Sequence, residues 1–534
     1  MADRPSGNRK QTRSVVHAQN GMVATSHPLA AMAGLHILQQ GGNAFDAAVA
    51  TASVLCVVEP MMTGLGGDMF ALIYDADNQE VKGLNASGRA PRAATPDFYE
   101  QNGFSSIPST GILSATVPGV VDGWSQFLEN YGTLTFKEVL APAIRYAEEG
   151  FPVTEMVAYY WKKAERLLLQ SEEASRNYLI DGKAPAEGTL FKQPGLARSL
   201  HRIAKDGRDA FYEGDIAARI DEYMKRHQGL LRKEDLREHR SQWVAPISTN
   251  YRGYEVLEIP PNGQGLVVLQ MLNILENYDL KAIGHNSAEY IRLLIEAKKL
   301  AYADRDRYIA DSEFSDLPVD RLLSKAYALQ LADSIQSGSK NNEPGIQLGG
   351  DTVYLTVADK KGNIASVTNS IFSLFGSGIL IPDTGIFMHN RGSLFSLDRN
   401  HPNVLHPGKR PFHTIIPGMV LKDRKPLISF GVMGADMQPQ GQVQTLANLI
   451  DFGMNIQAAG DAPRFRHYGH GVFLESEIGQ STRQALADQG YTLLEQSDGD
   501  DFAVGGYQGI FVDPETGLFQ GGSDPRKDGC AIGY

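Results

Sequence analysis

The segment Gly349-Gly350-Asp351-Thr352-Val353-Tyr354-Leu355-Thr356-Val357-Ala358-Asp359 constrains this chain more than any other. A glycine turn leads into a run of β-branched, aromatic and apolar residues, the composition of a strand at the centre of a sheet. The polar stretch Asp359-Lys360-Lys361-Gly362-Asn363 then signals a turn, and Ile364-Ala365-Ser366-Val367-Thr368-Asn369-Ser370 supplies a second strand. The first strand is headed by a hydroxyl residue, Thr352. If the chain is cut before it, the freed α-amine lies beside the hydroxyl and can serve as its general base, with no histidine required. A threonine in a strand is ordinarily only a β-former, so the hairpin alone permits this chemistry without demanding it.

Other segments stand in a fixed order around the hairpin. After it come Phe375-Gly376-Ser377-Gly378-Ile379, Ala462-Pro463-Arg464-Phe465 and Ser523-Asp524-Pro525-Arg526. Before it come Gly41-Gly42-Asn43-Ala44-Phe45-Asp46, Gly64-Leu65-Gly66-Gly67-Asp68, Thr116-Val117-Pro118-Gly119 and Ala301-Tyr302-Ala303-Asp304-Arg305. In their number and order these segments resemble the γ-glutamyltranspeptidase family over nearly the whole chain. The resemblance implies an α/β fold, a four-layer αββα sandwich of the N-terminal-nucleophile hydrolase type. It also implies self-cleavage between Asp351 and Thr352. The large fragment, 1–351, and the small fragment, 352–534, would stay associated as a heterodimer forming one interwoven catalytic domain, and such heterodimers can pair further.

Composition narrows the alternatives. Of 534 residues, 42% are hydrophobic and 21% charged, the balance of a folded globular protein rather than a disordered or fibrous one. A formal net charge of −12 argues against a general nucleic-acid binder. No window approaches the apolar length of a membrane-spanning helix. The first ten residues are polar and lack the apolar core of a secretory signal, so a cytoplasmic location is expected. Two cysteines far apart, Cys56 and Cys530, imply neither a disulfide framework nor a metal site. The histidines at His401, His467 and His470 have no metal-ligand spacing, and no cofactor is expected.

The pattern along the chain is strand-rich at both ends and helical in the middle, from about residue 118 to 342. Gly21–Leu38 reads as a strand followed by a helix, Ala47–Val58 as a second helix, and Phe70–Tyr74 as a strand. The stretch from Ser337 to Gly345 is the most loop-like of all, directly before the expected cut. Gly64-Leu65-Gly66-Gly67 lacks the lysine of a phosphate-binding loop and reads as a turn for close backbone packing.

The resemblance also assigns roles. Thr352 would be the nucleophile, first on the carbonyl of Asp351 and then on an amide substrate, through an acyl-enzyme. Ser370 would hydrogen-bond the mature α-amine. Gly434 and Ala435, where the family has paired glycines, would donate backbone N–H groups to the oxyanion, provided Ala435 does not sit at positive φ. Arg89 stands near the expected carboxylate clamp, and salt-bridging at the surface is its equal alternative. His413 and Thr414 replace paired serines that contact the glutamyl carboxylate. Arg391 and Leu394 replace groups that accept hydrogen bonds from the glutamyl α-amine, and Phe372 replaces an asparagine.

An ammonium there would meet a cation and an apolar group. The expected substrate is therefore a small amide whose acyl part carries a carboxylate and no α-amine, as in the oxamate amidohydrolase and cephalosporin-acylase branch. The short link from Asp398 to His406 leaves little room for a lid, which favours water as acceptor. Two alternatives stand beside this reading: a glutathione hydrolase or γ-glutamyltransferase, and an unprocessed, non-catalytic binding protein on the same scaffold.

Overall fold

The computed structural model describes residues 11–337, 350, 352–495 and 504–534. Asp351 and most of the loop expected before the cut lie outside the described residues. Seven strands build the core around the site: β1 (Gly21–Thr25), β2 (Asp68–Asp75), β3 (Val353–Asp359), β4 (Ile364–Ser370), β5 (Gly418–Lys422), β6 (Lys425–Val432) and β7 (Tyr507–Val512).

Among the described residues they belong to two seven-stranded sheets. One runs Cys530–Gly533, β1, β3, β4, β2, Glu80–Ala86, Gln242–Val244. The other runs Val16–Ala18, Phe519–Ser523, β7, β6, β5, Tyr254–Glu258, Ile247–Tyr251. Neighbouring strands are antiparallel throughout both sheets. Each sheet contains strands from both before and after residue 351, so neither segment owns a sheet.

Helices cover the two outer faces. Pro28–Gln39 and Ala44–Val58 lie on the first sheet, and Gly265–Leu275 and Met437–Ile450 on the second. The helix Ala44–Val58 is buried along its whole length, and Asn43 with Asp46 forms a capping box at its start. The inner faces of the sheets pack on each other, giving the αββα order. β3 and β4 are buried at every position, as the continuous apolar pattern of the hairpin requires. The strand beginning near Phe70 is longer than its apolar run and starts at Asp68. No described helix is long and apolar enough to cross a membrane.

Candidate active site

Register across the first sheet creates a row of polar side chains at one edge of the hairpin. Val353 pairs with Asn369, which carries Thr352, one residue earlier, opposite Ser370. Ser370 in turn pairs with Asp68. The Thr352 hydroxyl donates to Ser370 Oγ at 3.2 Å, and Thr352, Ser370 and Asp68 are all buried. The Gly64–Gly67 loop makes the row possible: a Cβ added at Gly67 would lie 2.5 Å from the Ser370 carbonyl oxygen. This is the close-packing turn expected from its glycines.

Residues of β3 on the inner face step along β6. Thr356 Oγ1 is 2.6 Å from Ser429 Oγ, and the Tyr354 ring occupies the space a side chain at Gly431 would need. Continued by two residues, the same step points Thr352 toward the turn at Met433–Gly434 that follows that strand. There Gly434 and Ala435 have φ of 114° and 49°, and neither backbone N–H donates to any described residue. The condition set on Ala435 is not met: its position is left-handed and strains a residue with a Cβ by about 1–2 kcal/mol, yet the alanine is accommodated there with its N–H uncommitted among the described residues, so the donor role stands.

The turn is braced from behind. Gln264 Nε2 donates to the Ala435 carbonyl at 3.1 Å, Tyr302 to the Asp436 carbonyl at 2.5 Å, and Arg305 pairs with the Asp436 carboxylate at 2.7 Å. Gly505, whose added Cβ would lie 2.2 Å from the Met433 carbonyl oxygen, packs from the other side. Arg464 holds Gly505 through its carbonyl and pairs with Asp524 at 2.6 Å, and Arg526 closes on the same carboxylate.

Ala435→Gly is expected to be neutral or stabilising in thermal denaturation, with turnover kept. The left-handed strain it removes, about 1 kcal/mol, offsets the greater freedom of glycine in the unfolded chain. Ala435→Val, whose β-branch sharpens the strain, should lower turnover.

Beside the polar row lies a buried cation. Arg391 is fully buried. Its Nη1 donates to Thr414 Oγ1 at 2.7 Å, and its guanidinium carbon stands 4.6 Å from the centroid of the Phe372 ring. Nε and Nη2 have no hydrogen-bond partner among the described residues. Burial pulls the Arg391 guanidinium down to about 9, with Asp68 offsetting part of the fall, so it remains charged at neutral pH. Phe372 ties this cation to the nucleophile row, because its N–H donates to Ser370 Oγ at 2.8 Å. It does so at a φ of 77°, which for a bulky residue stores about 1–3 kcal/mol of strain.

Asp68 anchors the far side. Its Oδ1 accepts the Gly88 N–H at 3.0 Å, and its Oδ2 lies 3.0 Å from His413 Nε2 and 3.3 Å from His389 Nδ1. Burial pushes the Asp68 carboxyl up, but His389, His413 and Arg391 together hold it down at about 2. Burial, aided by Arg391, drives the His413 imidazole down to about 3, so it is neutral.

Two expectations change. Arg89 is turned away from a substrate clamp: its guanidinium donates to the Gly408 carbonyl and to Glu313, with Asp311 within 3.7 Å. A carboxylate partner is thus already built in, which is its salt-bridge alternative. His413 faces Asp68 rather than an open pocket. Thr414, by contrast, is hydrogen-bonded to Arg391 as described. The Asp398–His406 link folds into a compact turn, with Ser396 bonded to Asn403 and Leu405. Asp68 and His389, both part of the site, were unassigned by sequence. A carboxylate in a glycine loop leading into an apolar strand was the available signal, since a buried charge requires partners.

Comparison with known proteins covers the whole of this arrangement. A model of the family described as gamma-glutamyltranspeptidase matches residues 30–534. The chain is 45% identical to the glutathione hydrolase-like YwrD proenzyme of Bacillus subtilis (strain 168), over 96% of this chain and 98% of the relative. It is 36% identical to the oxamate amidohydrolase proenzyme of Klebsiella pneumoniae subsp. pneumoniae, over 97% and 100% of the two chains. The crystal structure of a cephalosporin acylase from Bacillus halodurans superposes with a TM-score of 0.91 at 43% identity, covering 100% of this chain and 99% of that one.

Proposed function

Because this chain belongs to the γ-glutamyltranspeptidase family, and is one of its self-processing amidohydrolases, we propose that it hydrolyses amides of small acyl groups that carry a carboxylate and lack an α-amine. One observation carries the reading: Arg391, buried and charged, keeps two guanidinium nitrogens without partners beside the Thr352–Ser370 row. Leaving charged donors unsatisfied in a buried site costs several kcal/mol, and a planar carboxylate satisfies the guanidinium fork directly. An α-ammonium at the same place would be repelled.

The chemistry follows from the row. Once the chain is cut before Thr352, the new amine takes the proton of the adjacent hydroxyl, with Ser370 Oγ holding the hydroxyl in place. The oxygen attacks the acyl carbonyl, and the N–H groups of Gly434 and Ala435 receive the negative charge on the carbonyl oxygen. The amine leaves with a proton, and water releases the acid from the ester. The Asp398–His406 link, short and folded into a compact turn, supports water over a second amine as acceptor.

The oxamate amidohydrolase and cephalosporin acylase relatives, by their names, act on amides of acids and support this reading. The glutathione hydrolase-like relative supports a second one, hydrolysis of γ-glutamyl amides. Glutaryl-p-nitroanilide and γ-glutamyl-p-nitroanilide differ only by the α-amine and separate the two. The glutaryl compound is expected to have the higher kcat/KM by about tenfold or more, a difference of roughly 1.4 kcal/mol. A tenfold preference for the γ-glutamyl compound would overturn the proposal.

A further inference from the structure

Gln264 joins the two halves of the substrate site through one side chain. It stands immediately before the helix Gly265–Leu275 and is fully buried. Its segment is docked on the chain around His413: the Asn262 carbonyl accepts the His413 N–H at 2.9 Å, and the Gln264 N–H donates to the His413 carbonyl at 3.1 Å. The side chain then reaches in two directions. Nε2 donates to the Thr414 carbonyl at 2.7 Å and to the Ala435 carbonyl at 3.1 Å. Oε1 accepts from Arg305 Nη1 at 3.3 Å, and the same nitrogen pairs with Asp436 at 2.7 Å.

These partners fix which end of the amide is which. Arginine only donates and a carbonyl oxygen only accepts, so the amide oxygen faces Arg305 and the nitrogen faces the two carbonyls. Neither carbonyl is incidental to the site. Thr414 Oγ1 accepts from Arg391 Nη1, so the position of Thr414 helps set where the guanidinium stands. Ala435 belongs to the turn whose N–H groups face the developing oxyanion. A second tie runs elsewhere: the Ile416 N–H donates to Gln438 Oε1 and Gln442 Nε2 donates to the Ile416 carbonyl, each at 2.9 Å. That tie secures the chain two residues beyond Thr414 and does not involve Gln264. Loss of the Gln264 amide therefore frees the spacing at Thr414 while the segment as a whole stays attached.

We propose that Gln264 is a positioning residue that sets the acyl chain length the enzyme accepts, by holding the Arg391–Thr414 clamp at a fixed distance from the Gly434–Ala435 turn; this rests on the carboxylate reading of Arg391 given above. An acyl group with a terminal carboxylate is then gripped at both ends, its carboxylate by the guanidinium and its carbonyl oxygen by the N–H pair. One length satisfies both grips. A methylene more or less displaces the carbonyl by about 1 Å, a misplacement that can cost about 100-fold in rate.

Malonyl-, succinyl-, glutaryl- and adipyl-p-nitroanilide measure this with the mature, cleaved enzyme. For the wild type, kcat/KM should peak at one length and fall by about tenfold or more at a neighbouring length. Gln264→Met fills a similar volume without a donor. Gln264→Glu keeps an oxygen for Arg305 and loses at least one of the two bonds to the carbonyls, whether it is ionised or protonated. In either variant the peak should drop by about 10- to 100-fold, mostly in kcat, while neighbouring lengths change by less than about threefold. The profile flattens. A glutamine that only supports the fold would lower every length by the same factor.

Butyryl-p-nitroanilide, which lacks the carboxylate, separates the two readings. A flat wild-type profile, or variants that keep the wild-type ratios between lengths, overturns the role of Gln264 and leaves the carboxylate reading intact as long as the carboxylate compounds outrun the butyryl one. A wild type that hydrolyses the butyryl compound as well as the best carboxylate overturns both. Should neither variant fold, the wild-type profile decides alone: a peak at one length supports the fixed spacing, and a flat profile rejects it.

Discussion

Thr352→Ala should yield a folded, uncut and inactive chain. The threonine is buried and its hydroxyl donates to Ser370, a bond worth about 1 kcal/mol net. Alanine removes one methyl and that bond from the edge of a hairpin whose strands are buried throughout, so the fold should persist and circular dichroism should match the wild type. On a denaturing gel the wild type should give two fragments, 1–351 and 352–534, and the small one should read Thr-Val-Tyr-Leu by N-terminal sequencing. Thr352→Ala should run as one band with no measurable turnover. Thr352→Ser, which keeps the hydroxyl, should be cut and should retain part of the activity. A cut and active alanine variant, or any other N-terminus, would remove Thr352 from the mechanism.

Arg391→Met should change selectivity as well as turnover. If Arg391 holds the acyl carboxylate, its loss removes charge-assisted hydrogen bonds of about 1.5–3 kcal/mol each, so kcat/KM for glutaryl-p-nitroanilide should fall by roughly 10- to 150-fold for each bond lost. The preference for the glutaryl over the γ-glutamyl compound should shrink with it. Methionine fills a similar volume against Phe372 but leaves the buried Asp68 carboxylate without a charge that offsets it, so the thermal midpoint should fall. A purely structural arginine predicts the same loss of stability with a selectivity between glutaryl and γ-glutamyl substrates that does not move.

Local sequence carried much of the fold and part of the site. The hairpin of β3 and β4, the helix read over Ala47–Val58 and the close-packing Gly64–Gly67 turn were readable because each is set by neighbours within a few residues, although the helix begins three residues earlier, at Ala44. The motifs at Ala301–Arg305, Ala462–Phe465 and Ser523–Arg526 were readable as signatures, but not for what they do. Only the structure brings Arg305, Arg464 and Arg526 together behind one turn, where they pair with Asp436 and Asp524.

The resemblance set Arg89 near the anion clamp with a surface salt bridge as its equal alternative, and nothing local reveals Glu313 waiting for it. The array at Asp68 was out of reach for the same reason. Its partner His413 lies 345 residues away, and no periodicity or spacing reports a contact of that length. The positive φ of Ala435 was also invisible, since alanine gives no turn signal of its own.

The interleaving of strands from before and after residue 351 bears on what happens after a cut before Thr352. In the first sheet β1 lies between Cys530–Gly533 and β3, and the pair β3–β4 lies between β1 and β2, so each segment is flanked by strands of the other. Cutting one peptide bond leaves every ladder intact, and the two pieces cannot part without melting both sheets. Refolding is another matter. The intact chain assembles its sheets in a single-molecule event, whereas the nicked protein must first find its missing half by diffusion and loses the high effective concentration that the tether supplied. Cleavage therefore leaves a protein that persists through its unfolding barrier rather than through repeated refolding, and its recovery from denaturant should depend on dilution where that of the uncut chain does not.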